Sequence, residues 1–502
     1  MSNLVESLRE NAGKYPNNEA IVLGDDRLSY QQLWSSVSKL ASFFADNGFK
    51  RGERVALLLD NSPEFVVAYY GVAAAGGAVV ALNTAVKAMD LDSWIGHSGS
   101  TWVIANAQHS EFGKLAARQQ AVKFVLFNAS EKAEDDFLWE DVEAYTDSQP
   151  DVTIDGDDVA QIIYTSGTTG EPKGVTLTHH NLFTNFSSVL QYLDLDDSDS
   201  IVNVLPFYYS YGNSVLHTHM MVGGKVVLQN SLMYPHLVMQ KITDEKVTGF
   251  SGVPSTFTLL LSRVKLDEVD LSSLKYVTQA GGAMSPSHIE RFCDAVPNAR
   301  FFVMYGQTEA SARIAYLPPD ELINKMGAVG IPVPGVKVEI RDDNGNPVEN
   351  GLEGEICVFG ENLMKGYWRN PEKTNEVLVD GWLKTGDLAH MDDDGYIFIH
   401  GRSSDIIKSG AHRISPKEIE EVIHELPEVE EVAVVGDPDE VLGELIRACI
   451  VVKPDMELEA RVIKAHCHQR LAQYKIPKKI EFVKELPKTA SGKIRRFLLV
   501  DN

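Results

Sequence analysis

The stretch Tyr164-Thr165-Ser166-Gly167-Thr168-Thr169-Gly170-Glu171-Pro172-Lys173-Gly174 gathers hydroxyls, glycines and a lysine into one short segment. Glycine lets a backbone approach a ligand closely and turn its N–H groups toward phosphate. The hydroxyls and Lys173 add donors suited to a polyphosphate. The segment is not a Walker loop, because Lys173 is followed by Gly174 and not by Ser or Thr. A plain surface loop is the competing reading, and the length and hydroxyl density of this one argue against it.

Four further motifs follow in order: Tyr305-Gly306-Gln307-Thr308-Glu309, Trp382-Leu383-Lys384-Thr385-Gly386-Asp387, Gly401-Arg402, and Pro487-Lys488-Thr489-Ala490-Ser491-Gly492-Lys493. Together with the first loop they resemble the adenylate-forming (AMP-binding) superfamily, which includes acyl-CoA synthetases, peptide-synthetase adenylation domains and beetle luciferases. The pattern is most similar to that of acyl-CoA ligases. The resemblance implies that Thr165, Ser166, Gly167, Thr168, Thr169, Gly170 and Lys173 cradle the β- and γ-phosphates of ATP. It implies that Tyr305 lies against adenine, with Gly306, Gln307 and the Gly281-Gly282-Ala283 segment beside it. Thr308 would bond the α-phosphate and Glu309 would hold Mg²⁺. Asp387 would accept from both ribose hydroxyls, Arg402 would help hold ribose or phosphate, and Lys493 would be the catalytic lysine. Ser404 falls at the expected pivot of a mobile C-terminal domain, where many relatives carry a charged residue.

These roles make sense chemically. A carboxylate attacking the α-phosphorus of ATP joins two anions, so cations and N–H donors must surround the phosphates. A lysine is a mobile point charge, suited to a loop that arrives and leaves. Singly, Glu309, Asp387 and Lys493 would read as ordinary surface charges; their motif context reverses that.

By position, the acyl pocket is expected from Tyr208, Tyr209, Gly212, Ser251, Ala280, Met304 and Ile331. Peptide-synthetase domains place an Asp in the first of these segments to bind an α-ammonium. The stretch 205–212 contains no acid, and a buried unpaired ammonium would be costly. The expected substrate is therefore an aliphatic or aromatic monocarboxylic acid and not an α-amino acid. Ser409-Gly410-Ala411 matches the loop that lines the pantetheine channel in acyl-CoA synthetases.

The elements that must position these residues are also legible. Strand-like runs at 55–59, 159–164, 201–205, 226–228, 276–278 and 300–304 alternate with helical patterns at 182–193, 236–244 and 286–295, which predicts mainly parallel sheets covered by helices. Active residues then belong at the carboxyl ends of strands. The uncharged run 65–82 reads as a buried helix, a break at Gly76-Gly77 and a buried strand, not as a membrane span. After residue 327 the texture turns to short strands and turns, suggesting a small β-barrel or meander, and Asp392-Asp393-Asp394-Gly395 reads as a hairpin turn. Beyond 402, Ser415-Pro416-Lys417-Glu418 reads as a capping box opening a helix at 416–426. Strands at 431–435, 447–452 and 480–483 and a helix at 459–471 complete an α+β domain. The expected division is a large domain 1–401, β-rich over about 327–400, and a small C-terminal domain 402–502.

The 502-residue chain carries a net charge of −25, which excludes a basic nucleic-acid binder and requires ATP to be captured by a local positive site. Four scattered cysteines without a CxxC pair argue against a disulfide framework or zinc site and fit a reducing, cytoplasmic setting. The run His466-Cys467-His468 is no metal tract, because adjacent helical side chains diverge. No secretory signal is visible. The expected function is ATP-dependent activation of a carboxylic acid to its acyl-adenylate with pyrophosphate release, followed by thioester formation with CoA, in fatty-acid or aryl-acid metabolism. Loading of a phosphopantetheinyl carrier protein or an amine, a luciferase-type oxygenase and a non-catalytic nucleotide binder are the alternatives. The chain is expected as a monomer or homodimer.

Overall fold

Helices that return the chain between successive strands force parallel pairing, and this dictates the main sheet. In the computed structural model, which describes residues 3–119, 121–148, 152–165, 173–409, 412–439, 442–488 and 494–500, that sheet has nine strands. Its order is Ile331–Pro332, Ala315–Leu317, Arg300–Tyr305, Tyr276–Gln279, Gly249–Gly252, Ser200–Asn203, Lys225–Leu228, Glu19–Leu23 and Asp26–Ser29. The interior pairs are parallel and antiparallel pairs form both edges. The helices Ser210–Val222, Pro235–Glu245, Pro254–Arg263 and Pro286–Ala295 make the crossovers.

A second sheet, of eight strands, runs Gly366–Tyr367, Lys173–Thr178, Val159–Thr165, Ala78–Ala81, Arg54–Leu58, Trp102–Asn106, Lys123–Phe127 and Phe137–Leu138. The uncharged run forms the helix Pro63–Ala74, capped by Ser62 and buried at nearly every residue, and the buried strand Ala78–Ala81. Among the described residues no helix is long and apolar enough to cross a membrane.

The β-rich stretch is a sheet containing Lys337–Arg341, Gly354–Phe359, Trp382–Met391 and Ile397–Arg402, the last two antiparallel. Its turn at 392–395 is the expected hairpin: Asp392 Oδ1 accepts from the N–H of Asp394 at 3.1 Å and of Tyr396 at 2.8 Å. The C-terminal sheet runs His412–Ile414, Ile407–Ser409, Gly443–Val452 and Val429–Asp439, with Lys479–Phe482 parallel to Gly443–Val452. The helices Pro416–His424 and Ala460–Arg470 bury Ile419, Ile423, Ile463 and Cys467 in that core. One expectation fails here. Ser415 makes no side-chain cap; its hydroxyl donates instead to the His400 carbonyl, and Glu418 is taken by Lys475.

The chain separates into two compact units, Met1–Lys337 with Val358–Leu383, and Val338–Cys357 with Lys384–Asn502.

Candidate active site

In the first unit the strands Val159–Thr165 and Lys173–Thr178 form an antiparallel pair that ends with Thr165 opposite Lys173. Those two residues frame the glycine-rich loop; Ser166, Gly167, Thr168, Thr169 and Gly170 lie outside the described residues. Lys173 Nζ lies 6.0 Å from the centre of the Tyr367 ring. The Tyr367 hydroxyl donates to Glu309 Oε1 at 2.8 Å. Tyr367 is placed there because Gly366 and Tyr367 pair with Thr176 and Val175. A cation, a phenol and a carboxylate thus gather at the frame of the loop.

The second motif leaves the carboxyl end of Arg300–Tyr305 and folds back tightly, with Ser311 at φ 65°. Only glycine fits at 306, since a Cβ there would stand 1.9 Å from the Ala312 carbonyl oxygen. Thr308 Oγ1 donates to Ser210 Oγ at 3.2 Å. Gly281, at φ +91°, follows the neighbouring parallel strand Tyr276–Gln279. Gln279 Nε2 donates to the Gly282 carbonyl at 2.8 Å, fixing the turn before Ala283. Ser251, Gly281 and Gln307 therefore lie at or just beyond the carboxyl ends of three adjacent parallel strands, the expected place for a ligand in an open α/β sheet.

The expected acyl residues separate into two groups. Ser251 and Met304 line a buried cavity of about 10 Å³, room for about one water, with Thr278 and Arg313 on its wall. Ser251 and Thr278 hydroxyls lie 2.7 Å apart. Tyr211 donates to the Thr278 carbonyl at 2.9 Å. Tyr208, Tyr209, Gly212, Ala280 and Ile331 are not part of that cavity wall. Tyr208 and Tyr209 rings meet edge-on at 4.6 Å, Asn83 Nδ2 donates to the Tyr209 hydroxyl at 3.2 Å, and burial raises the Tyr208 phenol above its ordinary range. At Gly212 a Cβ would sit 2.3 Å from the Pro206 carbonyl oxygen. Ala280 is buried, and Ile331 pairs with Tyr316 at the sheet edge.

In the second unit Asp387 and Arg402 face each other across a strand pair. Arg402 Nε lies 3.0 Å from Asp387 Oδ1, with the carboxylate nearly buried and the guanidinium half-exposed. The Asp387 N–H donates to Thr385 Oγ1 at 3.1 Å and the Gly386 N–H to Glu355 Oε1 at 2.9 Å, holding the motif's backbone. Ser404 falls in the short helical turn Ser403–Asp405, and Ser409 ends the strand Ile407–Ser409 opposite His412. Gly410, Ala411 and Lys493 lie outside the described residues. Around Lys493, Lys488 pairs with Ile494 and the Arg495 N–H donates to the Pro487 carbonyl at 2.7 Å. Arg496 reaches both oxygens of Glu420 at 2.7 Å.

Sequence reasoning missed Tyr367 and Arg313; Ser210 lies in the segment expected at the acyl pocket, but its bond to Thr308 was not foreseen. The run Gly366-Tyr367-Trp368 was a visible signal, but its meaning depends on a strand pairing with residues far earlier in the chain.

A helix-covered mainly parallel α/β unit, with motif residues at its strand ends, followed by an α+β unit, is the architecture of adenylate-forming enzymes. A family model described as AMP-binding enzyme matches residues 8–368, and that of the AMP-binding enzyme C-terminal domain matches residues 418–493. The chain belongs to the AMP-binding enzyme family. A feruloyl-CoA synthase from an Amycolatopsis species is 34% identical over 480 residues, covering 95% of this chain and 94% of that protein. A long-chain-fatty-acid–CoA ligase of Bacillus subtilis strain 168 is 32% identical, covering 98% and 93%. The solved structure of Bacillus subtilis o-succinylbenzoate CoA synthetase with its acyl-adenylate intermediate matches with a TM-score of 0.89 at 28% identity, covering 99% and 98%.

Proposed function

We propose that this protein is an AMP-forming acid–thiol ligase that activates a small carboxylic acid as its acyl-adenylate and transfers the acyl group to CoA. The observation that carries the first half is the cluster of Lys173, Tyr367 and Glu309 at the frame of the glycine-rich loop. Relatives named for acyl-CoA synthesis, matched over nearly the whole chain, support the second half.

In this reading a substrate carboxylate oxygen attacks the α-phosphorus of ATP and the bond to the β-phosphate bridge breaks, releasing pyrophosphate. Thr165, Lys173 and the loop between them hold the β- and γ-phosphates, and Thr308 meets the α-phosphate. Asp387, oriented by Arg402, accepts from the ribose hydroxyls. Lys493 brings positive charge to the reacting oxygens. The CoA sulfur then attacks the acyl carbonyl and AMP leaves, with Ser409, Gly410 and Ala411 lining the thiol's path and Ser404 as the pivot. The working division is 1–401 and 402–502.

Glu309 is the residue that would hold Mg²⁺. Its hard anionic oxygens, one of them fixed by Tyr367, suit that ion, which is commonly bound by one or two carboxylates plus substrate phosphates. The ion supplies charge for the departing pyrophosphate. All four cysteines are free, which supports a reducing cytoplasmic setting.

The test is pyrophosphate release over a panel of acids, with and without CoA. Acid-dependent pyrophosphate, and AMP plus thioester once CoA is added, are expected. No pyrophosphate with any acid overturns adenylation. Adenylate that passes to a phosphopantetheinylated carrier and not to CoA overturns the CoA half.

A further inference from the structure

We propose that Arg496 is a positioning residue for adenylation: it pins the returning end of the final motif to the helix Pro416–His424 and to the turn at the expected pivot, so that the chain bearing Lys493 is tied to that turn. The inference rests on the adenylating activity proposed above and adds a residue to it.

Arg496 stands three residues after Lys493 in the chain. Its Nη2 donates to both Glu420 carboxylate oxygens at 2.7 Å, and its Nη1 lies 3.6 Å from Asp405 Oδ2. Glu420 belongs to the helix Pro416–His424 and also accepts from the Val434 N–H at 2.7 Å, so its carboxylate is fixed from the strand Val429–Asp439 as well. Asp405 closes the short helical turn Ser403–Asp405, one residue after Ser404. One guanidinium therefore joins the pivot turn, a helix and the end of the final motif.

The neck of that motif is closed by other contacts. Lys488 pairs with Ile494, and the Arg495 N–H donates to the Pro487 carbonyl at 2.7 Å. Leu486, Ile494 and Leu499 pack beside Cys449 on the C-terminal sheet. These contacts seat the two ends of the motif on the sheet; the link to the helix and the pivot turn is made by Arg496.

Stability alone is a poor reason for this pair. The Glu420 side chain is 14% exposed and that of Arg496 28%. Burial raises the Glu420 carboxyl in spite of the guanidinium. One terminal nitrogen serves both oxygens, while Arg496 Nε is buried without an acceptor among the described residues. Apolar residues of similar volume often stabilise a protein as well as a buried ion pair does, and a buried unpaired donor adds a cost. What the pair supplies is a fixed placement of the motif's end. The charge proposed for Lys493 acts only where it meets the reacting oxygens, and a displacement of about 1 Å costs a reaction up to roughly a hundredfold.

The experiment measures the two half-reactions separately on the full-length enzyme, with an acid that the wild type activates. The first is pyrophosphate release in a single turnover. The second is thioester formation from the pre-formed acyl-adenylate and the thiol that the wild type acylates. In Arg496→Met the first rate should fall by about tenfold or more, while ATP affinity and the second rate stay within about threefold. Arg496→Lys should recover part of the loss, because an ammonium is also a cation that can donate to both oxygens. Glu420→Gln should show the same split. Two half-reactions that fall together, or pyrophosphate release in Arg496→Met within about threefold of the wild type, overturn the inference and leave adenylation standing. If Arg496→Met does not fold, Glu420→Gln decides by the same two rates. A wild type that releases no pyrophosphate with any acid removes the adenylation reading, and the inference falls with it.

Discussion

Tyr367 donates its hydroxyl to Glu309 Oε1 at 2.8 Å across 58 residues of chain. The bond fixes one oxygen of the carboxylate proposed to hold the metal, and it comes from the strand that lies beside Lys173–Thr178. Tyr367→Phe keeps the ring beside Lys173 and removes only the donor. We expect adenylation to lose about tenfold in kcat/KM, the scale of one hydrogen bond to a charged group, and the Mg²⁺ concentration for half-maximal rate to rise. A Mg²⁺ titration of both enzymes checks this; superimposable curves would remove Tyr367 from the site.

Asp387→Ala should weaken ATP binding by tenfold or more, because one carboxylate is proposed to accept from two ribose hydroxyls. Its melting temperature should change little, since the Arg402 side chain left behind is 52% exposed and stays hydrated. Calorimetric titration with ATP decides it, and unchanged affinity excludes Asp387 from the nucleotide site.

Lys493→Ala should reduce pyrophosphate release by roughly a hundredfold or more while ATP still binds, the usual scale for a group that stabilises transition-state charge. ATP–pyrophosphate exchange within about tenfold of the wild type would sink the role.

Acid should destabilise the first unit through His217. A chain of buried bonds runs from the Tyr69 hydroxyl to Gln161 at 3.0 Å, from Gln161 to Asn213 at 3.2 Å, from Asn213 to His217 Nε2 at 3.1 Å, and from His217 Nδ1 to the Tyr70 hydroxyl at 2.8 Å. Read in that direction the chain is consistent with a neutral ring carrying its proton on Nδ1. A second proton would set Nε2–H against the Asn213 amide N–H. Burial holds His217 down at about 3, and His179 and His219 at about 4, against an ordinary 6.5. Below pH 6.5 the unfolded chain binds protons that the native state refuses, so stability falls as pH drops from 6.5 toward those values, by about 1.4 kcal/mol per pH unit for each such group. Urea unfolding between pH 7.5 and 5 measures the slope. His217→Gln should flatten it, and an unaltered slope would mean that other groups set the acid limit.

Much of the fold was legible because buried parallel strands are short apolar runs and their crossover helices start with Pro or Ser. The runs expected at 276–278 and 300–304 became Tyr276–Gln279 and Arg300–Tyr305, and the motif at their ends followed. What stayed hidden needed a third dimension. Tyr367 matters only because Gly366 pairs with Thr176. Ser415 looked like a helix cap by spacing, yet the His400 carbonyl, fifteen residues earlier, competes for the same hydroxyl and wins.

The free thiols carry a consequence for how this protein can be watched. Burial raises Cys293, Cys357 and Cys467 to about 11, so at neutral pH almost none of these sulfurs is thiolate. Cys357, Cys449 and Cys467 are buried and belong to the second unit, while Cys293 belongs to the first. An alkylating reagent in excess therefore becomes a clock. Each modified buried sulfur records how often its surroundings in the second unit have opened, the half-buried Cys293 serves as the more accessible reference in the first, and peptide mapping reads them separately in a single tube. If nucleotide quiets the opening of one unit more than the other, the imbalance appears as a change in labelling order, with no tag, dye or mutation added.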